Sequence, residues 1–172
     1  MASIVQQSDF TTGLFQITQN DEITAKLNES ITRIEKKILT DLLGIDLKDD
    51  YDTGIAVLPT PDVKWTELRD GKKYTDTIYN TKVEYEGFKA LLIPFTYADY
   101  VVRYTINTPI GIVEQTGING EKINKTELAI NANSAYNVGF NQYQKAKRFI
   151  RQFKTDTVYD NWLFTPKSSK WQ

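Results

Sequence analysis

The side chains best suited to chemistry in this sequence are the carboxylates of a short acidic run. Hard cations such as Ca²⁺ bind several oxygen ligands supplied by one loop. The sequence does not fit an EF-hand loop starting at Asp46, because Lys48 stands at the third position, where the loop needs an oxygen ligand. Tyr51 stands where glycine is required, and Val57 replaces the closing glutamate. We therefore predict no metal site, and we interpret the run as a solvated loop or a subunit contact that contains Asp46, Asp49, Asp50 and Asp52.

A second interpretation makes these carboxylates the acid and base of a small hydrolase. Such enzymes hold two carboxyl groups at a set separation, whereas nothing in the spacing of Asp49 and Asp50 fixes one. The sequence contains no cysteine and no histidine. This excludes thiolate nucleophiles, imidazole bases, disulfides and the common zinc ligand sets. We predict no catalytic residue and no cofactor.

The overall composition is that of one domain with a balanced charge. The 172 residues include 21 basic and 22 acidic side chains, for a net charge of −1. Such a chain has no global field that would attract nucleic acid or an anionic membrane. Residues 1–10 lack the basic region and the apolar run of a secretory signal. We expect the protein to remain in a cytoplasm-like compartment.

Basic side chains concentrate near the end of the last predicted helix. In one interpretation they only oppose the negative end of the helix dipole. In the other they face a channel through which DNA passes. Surface charges are screened beyond about 8 Å at physiological salt, so that contact would be transient and non-specific. The residues concerned are Lys145, Lys147, Arg148, Arg151 and Lys154.

The elements that must position these residues are helices. The apolar spacing predicts a mainly α fold, a three-helix-based bundle with an inserted β-hairpin, a long loop and an extended C-terminal arm. The first helix begins after an N-cap at Asn20 and ends at Gly44, with Ile45 folding back on its last turn. The central helix spans residues 86–105. It should kink or break at Pro94, and its charges Lys89, Asp99 and Arg103 argue against a membrane span.

The third predicted helix begins at a capping box of Asn124 and Glu127 and continues to about residue 154. The first half of its apolar face consists of small residues. A second backbone could approach closely there, so we predict a subunit contact at Ala132, Ala135 and Gly139.

The remaining segments are predicted to be irregular. Residues 1–19 read as an extended lead-in that packs a few side chains on the core. Residues 46–85 read as a long, partly ordered loop pinned by Trp65, Leu68 and Tyr74. A β-hairpin is predicted around Asn119 and Gly120. We expect a helical domain at 1–154 and an arm at 155–172, which packs on its own core or docks on a partner through Tyr159, Trp162, Phe164 and Trp171.

Several stretches together resemble the head–tail connector (adaptor) proteins of tailed phages, in particular those of Bacteroidetes-infecting and crAss-like phages. They are KKILTDLLGIDL, ELRDGKKY, YEGFKALLIPFTYADYV and NTPIGIV, followed by a long third helix. The resemblance covers roughly residues 20–154 and rests on packing and turn motifs. It implies a twelve-subunit ring beneath the portal that extends the DNA channel and meets further neck or tail proteins, with the C-terminal segment reaching toward the portal.

Three functions follow as hypotheses. The first is a structural virion protein of the phage neck, assembled in the host bacterial cytoplasm, with no enzymatic activity. The second is a cytoplasmic helical protein-binding module with the same core. The third is the small hydrolase that uses loop carboxylates.

Overall fold

The computed structural model describes residues 3–17, 20–57, 60–106 and 125–153, and the mainly α class is confirmed. A 3₁₀ turn at Gln7–Phe10 precedes the first α-helix. The α-helices are α1 (Asp21–Leu43), α2 (Ile45–Ile55), α3 (Val63–Asp70), α4 (Gly87–Tyr100) and α5 (Lys125–Phe153). Strands β1 (Lys72–Asp76) and β2 (Thr81–Tyr85) form an antiparallel hairpin between α3 and α4, and a π-helical segment, Val101–Ile106, extends α4.

Helix α1 begins and ends as predicted. The side-chain oxygen of Asn20 accepts a hydrogen bond from the Ile23 amide at 2.8 Å. Gly44 ends the helix with φ at 79°, and its amide donates to the Thr40 carbonyl. The expected fold-back of Ile45 is wrong, because this residue begins α2 and is 69% exposed.

The three long helices, α1, α4 and α5, form the core. Helices α4 and α5 are antiparallel, since Glu86 lies beside Lys145 while Phe95, further along α4, packs on Gly139. Helix α4 does not break at Pro94, which is buried inside it. Burial of the flanking apolar side chains offsets the single lost backbone hydrogen bond.

The predicted loop at 46–85 is wrong, because the structure folds this stretch into α2, α3 and the hairpin. The three predicted anchors, Trp65, Leu68 and Tyr74, are buried as expected. Tyr51 on α2 joins them to the core, with its ring 6.0 Å from Trp65 and 5.3 Å from Phe88. Such short helices gain most of their stability from tertiary contacts, so their sequences show little periodicity of their own.

The hairpin is attached closely at its base. A Cβ atom built on Gly71 would lie 2.3 Å from the Tyr85 carbonyl oxygen, and one on Gly87 would lie 2.4 Å from that of Arg69. The Tyr85 hydroxyl donates to the Leu68 carbonyl at 2.8 Å. Its ring stacks on Phe149 of α5 at 4.6 Å. The hairpin is therefore held against the C-terminal half of α5.

The small residues of α5 also require a correction. Ala132, Ala135 and Gly139 are buried in the chain's own core, where a Cβ on Gly139 would lie 3.0 Å from the Phe95 ring. They allow close packing of α5 on α4, and a second copy cannot reach them in this fold.

The N-terminal lead-in packs Val5, Phe10 and Ile17 into the core, as predicted. Three predictions concern residues outside those that the structure describes: the hairpin around Asn119 and Gly120, the Asn124 cap, and the arm at 155–172. Within the described part of the chain, no helix is both long enough and apolar enough to span a bilayer.

Candidate functional site

The structure divides the predicted basic stripe of α5 into paired and unpaired cations. Lys145 lies 2.6 Å from the Glu86 carboxylate. The Nε atom of Arg148 lies 2.5 Å from Asp76. Lys147 and Arg151 have no acidic partner among the described residues, although Lys147 lies 5.9 Å from the centre of the Tyr143 ring. Lys154 lies outside the described residues.

Asp76 ends β1 and organises the hairpin turn. Asp76 is fully buried. One carboxylate oxygen accepts from the amides of Ile78 and Tyr79 at 2.9 and 3.0 Å, and the other accepts from Arg148. The Arg148 hydrogen bond and the two amides lower the pKa of Asp76 against the opposing effect of burial. A carboxylate held ionised in this way is a poor proton acceptor, so its role is to fix the turn.

The turn presents large apolar side chains to solvent. Ile78 is 73% exposed and Tyr79 is 67% exposed. The Arg148 guanidinium lies 4.8 Å from the centre of the Tyr79 ring, within cation–π range. Asn80 completes the turn at φ 47°, a left-handed conformation that asparagine tolerates well. One ion pair to a buried carboxylate therefore supports a fixed and exposed hydrophobic tip.

The turn and α5 enclose a cavity of about 560 Å³, which we call the hairpin–α5 cleft. Its chemistry combines an aromatic ring, an aliphatic side chain and cations. Such a surface suits a partner that presents carboxylates or phosphates beside apolar groups. The lining residues are Asp76, Thr77, Ile78, Tyr79, Gln144, Lys147, Arg148 and Arg151.

The acidic run lies on a second surface, and on a helix instead of the predicted loop. Asp46, Asp49 and Asp50 are exposed on α2, and no described cation pairs with them. Asp52 pairs with Lys48 at 2.5 Å. A cavity of about 580 Å³, which we call the α1–α2 groove, is lined by Ser3, Thr32, Glu35, Lys36, Leu39, Thr40, Ile45, Lys48, Asp49 and Asp52.

A third polar cluster joins α1 to α4 and is structural. The Asp99 carboxylate accepts from the buried Ser30 hydroxyl at 2.9 Å, from Arg33, and from Arg103 at 3.2 Å. Glu29 pairs with the other side of Arg33 at 3.0 Å. These bonds satisfy charges at the point where α4 passes into its π-helical extension.

Asp76, Ile78 and Tyr79 were not predicted as site residues from the sequence. The available signal was the stretch Asp76 to Asn80 between two short runs that alternate in polarity, a pattern typical of a hairpin. No group of three or more potential metal ligands occurs within the described ranges. No protein-family model, curated protein sequence or solved structure matches this chain.

Proposed function

We propose that this protein is a structural subunit of the tailed-phage neck, a connector whose copies form a ring between the portal and the tail. The observation that carries the proposal is the hairpin–α5 cleft, where a rigid turn exposes Ile78 and Tyr79 beside two cations. Exposed apolar side chains that an ion pair to a buried carboxylate holds in place suit a permanent protein contact. The resemblance of residues 20–154 to connectors supplies the context for that contact.

A ring requires a heterologous interface, in which two different patches of one subunit meet. The chain offers two patches of different chemistry, because the hairpin–α5 cleft is basic and aromatic while the α1–α2 groove is lined by three carboxylates and two lysines. The presence of both on one subunit supports a ring over an isolated binding module.

Within this proposal, the arm at 155–172 fastens the ring to the portal. Passing DNA contacts the basic face of α5 weakly. Lys145 and Arg148 are already paired with carboxylates, so these two cations are not available to bind phosphates tightly. Few phosphate contacts give weak, salt-sensitive binding, which suits DNA that moves through a channel.

The test is co-expression of the chain with the portal protein encoded in the same phage genome, followed by electron microscopy of the purified complex. We expect a ring seated beneath the portal, and we expect the chain among the proteins of purified virions. Absence of the chain from virions, together with no binding to the portal, would contradict the proposal.

A second candidate function is a cytoplasmic protein-binding module, which the same exposed Ile78 and Tyr79 favour. Affinity capture from host cells separates the two. The module predicts one stoichiometric cellular partner that is lost in the I78S/Y79S variant. The connector predicts capture of portal and neck proteins from infected cells only.

A further inference from the structure

We infer that neighbouring copies of this chain meet head to tail, with the hairpin–α5 cleft of one copy seated on the α1–α2 groove of the next. The inference deepens the proposed function and rests on it for the closure of the assembly into a ring. Three features of the two surfaces support this pairing: their charges, their exposed apolar groups and their separate locations.

The unpaired charges of the two surfaces have opposite sign. On the cleft, Lys147 and Arg151 lack a described acidic partner. On the other surface, Asp49 lines the groove, and Asp46 is exposed three residues earlier on the same helix; no described cation forms an ion pair with either. Complementary charges of this kind orient two proteins and suppress incorrect pairings.

The groove also contains cations, which leave its acidic character in place. Lys48 is neutralised by Asp52 at 2.5 Å. Lys36 also lines the groove, together with the carboxylates of Glu35 and Asp49. Asp46 and Asp50 then add two exposed carboxylates on the adjoining stripe of α2. The acidic groups therefore outnumber the basic ones at this surface.

Each surface also carries apolar side chains that water solvates poorly. Ile78 and Tyr79 protrude from the hairpin, and Ile45 at the start of α2 is 69% exposed at the mouth of the groove. Leu39 lines the floor. An interface with an apolar centre and charged margins is the usual arrangement of stable protein contacts. Contact between the surfaces would bury the three exposed side chains, Ile45, Ile78 and Tyr79.

A symmetric contact is disfavoured by the same charges. If two clefts met, Lys147 and Arg151 of one copy would lie against the same residues of the other. If two grooves met, Asp46 and Asp49 of the two copies would lie against each other. Like charges across an interface oppose association. The two surfaces share no lining residue, so a copy bound through one surface keeps the other free for the next copy.

A nucleic-acid ligand would account for less of what is observed. Phosphates would satisfy Lys147 and Arg151, but they would leave the exposed Ile78 and the acidic groove without a function. A second copy of the chain satisfies both surfaces at once. Binding of DNA in place of a second copy is an outcome that the experiment distinguishes.

Site-specific disulfide cross-linking tests the contact directly, because the chain has no cysteine of its own. The Y79C/D49C variant should form a ladder of covalent oligomers under mild oxidation, with portal or without it. A mixture of the single variants Y79C and D49C should form only the mixed dimer. The matched control is Y79C/L14C, since Leu14 is 83% exposed and lines neither surface. No Y79C/D49C product in either condition, or as much product from the control, would overturn the inference.

Charge reversal gives an independent readout by analytical ultracentrifugation. K147E/R151E and D46K/D49K should each weaken self-association by about tenfold or more. Mixing the two variants brings an acidic cleft and a basic groove into one sample, where each variant also keeps one original surface. The original cleft pairs with the original groove, and the reversed cleft pairs with the reversed groove, so the mixture should form oligomers that contain the two variants in equal amounts. All four changes in one chain should restore self-association. If K147E/R151E instead abolishes binding of a duplex oligonucleotide and leaves cross-linking unchanged, the cleft is a nucleic-acid surface and the inference is wrong.

The head-to-tail contact and the proposed phage function can be rejected independently of each other. Cross-linked oligomers from a chain that is absent from virions would retain the head-to-tail contact and reject the phage role. A ring found beneath the portal with no cross-link between these surfaces would retain the phage role and reject the contact.

Discussion

The Nε atom of Arg148 lies 2.5 Å from the carboxylate of Asp76, although 72 residues separate them in the chain. This bond joins the hairpin turn to α5. Because the same carboxylate also accepts from the Ile78 and Tyr79 amides, the pair sets where the exposed tip of the hairpin lies. The surface proposed for assembly is therefore built on a single buried carboxylate.

Replacement of Asp76 by asparagine should make stability less dependent on pH. Arg148 and the turn amides lower the pKa of Asp76 in the folded state. Its stabilisation is thus present above the unfolded pKa of about 3.9 and is lost as pH falls through the lower folded pKa. D76N should be less stable than the wild type at neutral pH, and the difference should shrink on acidification. The midpoints of urea unfolding of the wild type and D76N, measured across that pH range, test this prediction. A difference in stability that stays the same at every pH would contradict it.

Arg148 and Arg151 should respond differently to the same substitution. R148M leaves the buried Asp76 carboxylate without its cation and should lower the urea midpoint clearly. R151M removes an exposed cation with no described acidic partner, so the free energy of unfolding should change by no more than about 0.5 kcal/mol. Equal effects of the two changes would mean that Arg148 does not support the turn.

Alanine at Gly71 should loosen the base of the hairpin. Gly71 has φ at 95°, and an added Cβ would lie 2.3 Å from the Tyr85 carbonyl oxygen. The strain should lower the free energy of unfolding by about 1–3 kcal/mol. The matched control is G13A, which has φ at 91° but open space around the new Cβ. Urea unfolding should show the larger loss for G71A, and equal losses would mean that backbone conformation alone is responsible.

Alanine at Gly54 should destabilise the protein although alanine favours helices. An added Cβ would lie 1.9 Å from Trp65 Nε1, so the buried indole would have to move. Overpacking costs about 1–3 kcal/mol, against a gain in helix propensity of at most about 1 kcal/mol. The neighbouring exposed change T53A keeps only the propensity gain and should be neutral or stabilising. Thermal unfolding with tryptophan fluorescence measures both, and a stabilised G54A would refute the packing.

Asp99 should matter more than the exposed partner of the same arginine. D99A removes hydrogen bonds that Ser30, Arg33 and Arg103 donate to a carboxylate, and bonds to charged groups contribute about 1.5–3 kcal/mol. E29A removes an ion pair whose carboxylate is 64% exposed, worth about 0.5 kcal/mol. The midpoints of urea unfolding of the two variants test this, and a larger loss for E29A would show that the Asp99 cluster is not what joins α1 to α4.

The long helices were predictable because their signals are local. The Asn20 cap and the Gly44 stop act through neighbouring backbone groups, and the apolar stripe of α1 repeats from Ile23 to Leu42 along one helix. Regularity of that length is hard to produce by chance. The burial of Trp65, Leu68 and Tyr74 was also predictable, since large apolar side chains between polar neighbours seek a core.

The short elements were not predictable to the same extent. Helices α2 and α3 and the hairpin are stabilised by contacts with side chains far away in the chain, among them Phe88 and Phe149. The small face of α5 is ambiguous from sequence for a related reason. A stripe such as Ala132 and Ala135 shows that a backbone approaches closely, but it does not show whether that backbone is α4 or another subunit.

The sequence by itself determined the helical class, the ends of α1, the absence of cysteine and histidine chemistry, and the concentration of positive charge late in the chain. Tertiary structure alone decided which of those charges form ion pairs among the described residues, because an ion pair such as Asp76 with Arg148 depends on distance in space and not on separation along the chain. The candidate site depends on which cations form these ion pairs. Folding neutralises Lys145 and Arg148, leaves Lys147 and Arg151 at the surface, and places them beside two apolar side chains that the hairpin turn holds in water.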